Sequence, residues 1–278
     1  YVPERTGTRM PLAAKASDQC LPARSRILAP DAELSNMFLI EGERGCHRMC
    51  SFCVMRRTTN GGMRLVTPER VLSYIPDDAP KVGLVGAAIS DHPQLVPILE
   101  TLVDAGKSVS LSSLRADRVM RRPRIAELLR QSGARTLTVA SDGASERLRK
   151  WMKKGTKEEH LLACATQAGE LGFSVFKVYM IVGLPEETDE DIDELIHFTN
   201  ELARAAGGTR VALGVAPFVA KRNTPLDGEP FAGIKQVDQR MKRLRKGLKR
   251  GVELRPVSSR WAWVEHELSQ GGPEVGEA

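Results

Sequence analysis

The sequence predicts an α/β fold: a partial (β/α)6 TIM-like barrel with an N-terminal arm and a short C-terminal extension. Two observations carry this. Six short apolar runs alternate with amphipathic helical patterns, and repeated βα units imply a parallel sheet with helices outside it. A cysteine-bearing loop directly follows the first run, where barrels of this kind place their chemistry. Six units rather than eight give a barrel that stays open.

Residues 1–35 hold Pro3, Pro11, Pro22 and Pro30 with no sustained period, the pattern of an arm or linker. The chain opens on Tyr1 rather than Met, so it is expected to be a segment with something upstream. The core is expected over 36–234. Its first strand is Met37-Phe38-Leu39-Ile40, ending in Glu41, followed by a loop from Gly42 to Gly62. Thr67-Pro68-Glu69 opens a helix, with an N-cap and a proline at its first position. Strands at 81–85, 108–111, 136–139, 175–182 and 211–215 alternate with helices at 92–104, 124–131, 145–153, 156–171, 189–205 and 237–248. Gly106, Gly133 and Gly172 stop three of the helices. A last strand at 252–256 is an optional seventh, within an extension spanning 235–278.

Composition excludes several classes. Of 278 residues, 41% are apolar, too many for a disordered chain. The longest apolar runs, such as 82–89, fall far short of the roughly 20 residues a membrane span needs, and no signal peptide is visible. Five cysteines are too few, and odd in number, for a disulfide framework. A cytoplasmic protein is the expectation. The net charge of +6 is concentrated in one place: 235–255 holds nine Lys or Arg against Asp238 and Glu253. That segment reads either as an RNA-binding face or as the solvated outside of a barrel helix, and scarce aromatics favour the latter.

The motif that carries chemistry is Cys46-His47-Arg48-Met49-Cys50-Ser51-Phe52-Cys53. Three close thiolates in a reducing compartment are metal ligands. Structural zinc wants four protein ligands, and His47 beside Cys46 is awkwardly placed to be the fourth. Three thiolates instead suit a [4Fe–4S] cluster with one iron left open for a small molecule.

This CxxxCxxC loop after the first strand, with the aromatic Phe52, resembles the radical S-adenosylmethionine (radical SAM) superfamily. The resemblance implies that SAM chelates the open iron. It implies reductive cleavage to methionine and a 5′-deoxyadenosyl radical that abstracts a substrate hydrogen, and an external one-electron donor such as flavodoxin or ferredoxin. Further segments resemble the branch carrying an upstream cobalamin-binding domain: Phe38-Leu39-Ile40-Glu41 into Arg44-Gly45-Cys46, 112–117, 144–149, 179–191 and 218–221 with Thr224-Pro225. That branch implies a cobalamin cofactor and methyl transfer or rearrangement on an unknown substrate. An RNA-modifying activity resembling the methylthiotransferases is the alternative, although the cysteines for a second cluster are missing. A zinc-binding module without catalysis is the remaining one.

The same resemblance assigns SAM contacts. Gly86 and Ala87, with Ser90, stand where the family's backbone binds the SAM amino group. Asp142 stands near its ribose or amino group, and Arg147 is a candidate for its carboxylate. Ile181 and Gly183 lie on the strand that packs against adenine, and Phe52 belongs to the cysteine loop. Alternation puts Ser110 and Ser112 on one face of their strand, either lining a lumen or meeting solvent. Arg115 suits a carboxylate or stands solvated. Cys164 reads as a buried small hydrophobe, and Cys20 has no assigned role.

Overall fold

The computed structural model describes residues 16–58, 62–111, 114–272 and 274–275. Strand β1 (Met37–Glu41) leads into an antiparallel hairpin of β2 (Glu43–Cys46) and β3 (Gly62–Leu65), and helix α1 (Met55–Thr58) lies between the hairpin strands. Then follow α2 (Pro68–Leu72), β4 (Lys81–Val85), α3 (Leu95–Asp104), β5 (Ser108–Leu111), α4 (Ala116–Arg121) and α5 (Arg124–Gln131). β6 (Thr136–Asp142), α6 (Glu146–Trp151), α7 (Glu158–Glu170), β7 (Val175–Val182) and α8 (Asp189–Ala205) continue the alternation. β8 (Arg210–Pro217), α9 (Ile234–Gly247), β9 (Val252–Pro256) and α10 (Ser259–Gln270) complete it.

The strands form two parallel sheets, ordered β1-β4-β5 and β6-β7-β8-β9. Leu114 joins them through a parallel bridge to Val139; its amide donates to Thr138 O at 3.0 Å and its carbonyl accepts from Ala140 N at 3.3 Å. Strand order thus follows chain order, as in a barrel left open between its first and last strands. Arm residues shield the β1 edge: the Ser25 amide donates to Leu39 O, the Glu41 amide donates to Ala23 O, and Arg24 bridges Ile40 antiparallel. Covering an edge in this way blunts pairing with other chains.

Alternation on β7 shows how the core is divided. Phe176, Val178 and Met180 are buried, while Lys177, Tyr179 and Ile181, on the opposite face, are more open. The helix side carries the hydrophobic burial, about 1.5–3 kcal/mol for a side chain such as Phe176. It packs against Leu161, Ala165 and Ala168 of α7 and Ile192, Leu195 and Phe198 of α8. A parallel strand buried on both faces is apolar throughout; Lys177 and Tyr179 therefore mark the inner face as a lumen rather than a packed interior.

The optional strand at 252–256 is present as β9, so the described residues form seven parallel strands. The hairpin was not expected: β2 and β3 have four residues each and alternate Arg, Gly and Met too weakly to read as strands. α3 starts at Leu95 rather than His92, because His92 is occupied in a turn, with Nε2 3.0 Å from Val66 O and Nδ1 accepting from the Gln94 amide. α7 starts after Lys157, whose amide donates to His160 Nδ1, and not at Thr156. α4 and α10 were not expected as separate helices. No helix among the described residues is long and apolar enough to cross a membrane.

Candidate functional site

The cysteine loop begins where β2 ends, at Cys46 opposite Gly62. Backbone and side-chain bonds hold it from several directions. The Ser51 amide donates to Met152 O at 2.9 Å, and the Cys53 amide to Cys50 O. Arg56 and Arg57 donate to the carbonyls of His47 and Cys53, each at 2.8 Å. The strongest tie is Arg48, whose Nε and Nη2 reach the two oxygens of Asp91 at 2.8 and 2.6 Å. Such a bidentate fork fixes direction as well as distance. Arg118 donates to the same carboxylate, whose side chain is fully buried. Burial alone would push Asp91 up, but the hydrogen bonds from Arg48 and Arg118 outweigh it and hold the carboxyl at about 2. Next to this group, Arg115 donates to Asp117 Oδ1 at 2.9 Å, to Lys154 O at 3.1 Å and, from its amide, to Ser90 Oγ at 3.2 Å.

These parts surround a cavity of about 180 Å³. It brings together the three cysteines with Phe52, Ala87, Ser90, Arg115 and Asp142, and adds Arg48, Ala88 and Lys154. Asp142 sits at a register shift at the end of β6 with φ +65°, a conformation that costs a non-glycine residue energy and tends to occur at functional sites. Its carboxylate is ion-paired with Lys154. Lys154 escaped the sequence reading. It follows Lys153 and precedes Gly155, both at positive φ, and this turn sends its side chain inward. Burial pushes the Cys50 thiol up, against the pull of the Lys154 and Arg115 cations; burial also raises Cys46, against the hydrogen bond from the Arg48 amide.

The other expected contacts lie elsewhere. Ile181 lines an adjoining cavity of about 340 Å³ that shares Asp142 as a wall. Gly183 is in a turn facing Ala232 and Val237, with its amide donating to Glu187 Oε1 at 2.8 Å, and it does not line the cysteine cavity. Arg147 pairs with Asp191 at 2.6 Å and donates to Glu186 O, and it does not line the cysteine cavity. An exposed first helical turn on α6 faces the acidic start of α8, and the guanidinium follows that charge. Ser112 lies outside the described residues. Ser110 lines a third cavity, beside the gap between β5 and β6.

Gly86 stands behind the cavity. A Cβ there would come within 2.4 Å of Glu43 Oε1, which already accepts from the Ala88 amide at 2.6 Å. Glu43 is 1% exposed and its Oε2 has no hydrogen-bond partner among the described residues. It braces the turn after β4, and sequence reading missed it. Burial pushes its carboxyl up to about 7 despite the Ala88 amide. A carboxyl raised in the folded state holds its proton more tightly there, so its contribution to stability is full below the unfolded pKa and is lost as pH rises through about 7. Glu43→Gln is therefore expected to gain on the wild type by up to about 3 kcal/mol between about pH 5 and 8. Thermal unfolding of both proteins across that range checks this, and a stability difference that does not change with pH would contradict it.

The donor set fits an iron–sulfur cluster. Cys20 is exposed in the arm; Cys164 is buried on α7, where burial pushes its thiol to about 12. Three cysteines remain, all facing one cavity. Among the described residues no three His, Cys, Asp or Glu side chains converge on a point that could hold a single ion. A cluster asks for something different, since each thiolate meets its own iron.

The model of the radical SAM superfamily matches residues 40–199. The uncharacterized protein MJ0966 of Methanocaldococcus jannaschii is 33% identical over 205 residues, 70% of this chain and 43% of the relative. The chain thus spans less than half the length of that relative. Among solved structures, SuiB of Streptococcus suis bound to S-adenosylmethionine superposes with a TM-score of 0.54 at 13% identity, covering 80% of this chain and 50% of SuiB. The cobalamin-dependent S-adenosylmethionine radical enzyme OxsB gives 0.51 at 14% identity, over 76% of this chain and 36% of OxsB. Coproporphyrinogen III oxidase (HemN) of Escherichia coli gives 0.51 at 15%, over 73% and 51%. At these identities the structural likenesses speak to the fold.

Proposed function

Because the chain belongs to the radical SAM superfamily, we propose that Cys46, Cys50 and Cys53 hold a [4Fe–4S] cluster and that the cavity beside them binds S-adenosylmethionine. The observation that carries this reading is the meeting of three cysteines from one loop with Lys154, Arg115 and Asp142 around a single cavity. When bound, the cluster supplies the electron that splits SAM into methionine and a 5′-deoxyadenosyl radical. The protein's own residues bind, orient and exclude water. Lys154 and Arg115 are the cations that face the SAM carboxylate, the part expected of Arg147. Asp142, held by Lys154 at a fixed backbone angle, faces the ribose or the amino group. Ser90 and Ala87 present the turn that Glu43 braces, and Phe52 adds an aromatic wall to the cavity.

The substrate reaction we favour is methyl transfer or rearrangement at an unactivated carbon, with cobalamin held by a part of the protein outside this chain. The likeness to cobalamin-dependent OxsB supports it. Flavodoxin or ferredoxin fits as the electron donor. An RNA substrate is less well supported, because part of the charge on α9 is already matched: Arg243 pairs with Asp189 and Asp193 at the surface, and Arg240 with buried Glu187. Anaerobic reconstitution with iron and sulfide, then dithionite and SAM, tests the reading. Iron–sulfur absorption together with formation of 5′-deoxyadenosine and methionine is expected. A fully loaded cluster that leaves SAM intact would overturn it.

A further inference from the structure

We propose that the lumen floor between β7 and β9 is an oxyanion subsite, seating a phosphate or carboxylate group of the substrate on the Lys177 ammonium. That the bound group belongs to a substrate rests on the radical SAM reading; that the site takes an oxyanion rests on the following geometry. The cavity of about 340 Å³ is continuous in its lining with the cysteine cavity through Asp142. A molecule seated here lies alongside the place where the radical would be formed. Strand register sets Tyr179, Gly214 and Arg255 in one row across three strands, and alternation adds Lys177 to the same face.

The charges on this face are unevenly matched. Asp142 is neutralised by Lys154. Arg255 is held by Glu253 through two bonds at 2.7 and 3.0 Å. Lys177 has the Tyr179 hydroxyl at 2.9 Å and the ring of Tyr179 at 4.4 Å from its centroid. Among the described residues no carboxylate lies within ion-pair reach of it. An ammonium carries three donors, and Tyr179 takes one. The hydroxyl of Tyr179 accepts that bond and keeps its own proton free to donate. Two ammonium donors and the hydroxyl proton are thus left for a ligand in the cavity.

Small residues on β8 set where Tyr179 and Lys177 lie. A Cβ on Gly214 would come within 3.0 Å of the Tyr179 ring, so a side chain there would displace the aromatic ring. Ala216 is the next residue of β8 on this face. Glycine at 214 thus lets the Tyr179 ring and the Lys177 stem lie against β8, and the short side chain of Ala216 leaves the room beside them for a ligand of opposite charge. Phosphate and carboxylate share this chemistry, and the two arms of the test separate them.

The experiment is calorimetric titration of the chain, free of iron and SAM, with inorganic phosphate in one arm and succinate in the other. Saturable binding of at least one anion is expected, the tighter arm naming the group. Lys177→Gln should weaken it about tenfold or more, the range of a hydrogen bond to a charged group, and Tyr179→Phe by about threefold to tenfold. Lys246→Gln, on the basic face of α9, should bind as the wild type does. Three results would overturn the proposal: no saturable binding in either arm, wild-type affinity in both lumen variants, or loss of binding in Lys246→Gln. If Lys177→Gln fails to fold by circular dichroism, Tyr179→Phe decides. The titration needs neither iron nor SAM, so failure of SAM cleavage would leave the anion site standing, and failure of anion binding would leave the radical SAM reading standing.

Discussion

Replacing Cys50 with alanine is expected to remove bound iron and SAM cleavage together, by more than the roughly 100-fold cost of losing an outer-shell partner at a metal site. Cys50 is buried at the centre of the loop, and its loss leaves Cys46 and Cys53 with no third thiolate in the cavity. Neither remaining cysteine can substitute. Cys164 is fully buried on α7, and Cys20 is in the arm, where its Sγ contacts Ser17 Oγ at 3.3 Å. The matched control is Cys20→Ala, expected to retain wild-type iron content and 5′-deoxyadenosine yield. Iron analysis and chromatography of the two variants beside the wild type make the comparison. Full iron and full cleavage in Cys50→Ala would remove the cysteine loop from the mechanism.

The largest loss of stability is expected from Asp91→Asn. The fully buried carboxylate takes Arg48 from the cysteine loop and Arg118 from α4. An amide keeps the shape and loses the charge, leaving the two guanidinium groups with only their longer contacts to Asp117, at 3.9 and 4.0 Å. Breaking a buried pair from one side costs about 3–5 kcal/mol. The arginines are 25% and 29% exposed, which lowers the figure to about 2 kcal/mol, or roughly 4–8 °C in Tm. The pH dependence gives a separate check. A carboxyl depressed to about 2 contributes stability that is present above the unfolded value near 4 and lost as pH falls through about 2. The difference in Tm between wild type and variant should therefore close over that acid range. Equal melting temperatures at neutral pH would show that the loop does not depend on Asp91.

The βα alternation and the cysteine motif were legible in the sequence because both are local: period and spacing need no knowledge of distant contacts. β9 was also visible, though only as an option, since five residues with Glu253 and Arg255 on one face give a weak strand signal. The lost details share a different cause. Arg147 was read as a ligand because the motif fixes its position along the chain; nothing local reveals that Asp191 stands opposite it across α6 and α8. Lys154 was passed over because a Lys-Lys-Gly run after a helix looks like an ordinary basic end, and only the two positive-φ residues beside it turn the side chain inward. Glu43 looked like one more charge in a polar loop, and its burial depends on the hairpin, whose strands are too short for periodicity to disclose.

The hairpin also bears on the order of assembly. The cysteine loop is tied to Met152, to Asp91 and to β3 by bonds that involve no metal. In small zinc domains the binding of the ion and the folding of the chain are one event. Here the frame is built by the polypeptide itself, so maturation can proceed as insertion into a finished receptacle. The metal-free protein should then be a stable intermediate that can be isolated, stored and loaded later, and loss of metal in an oxidising environment should leave a scaffold that can be repaired.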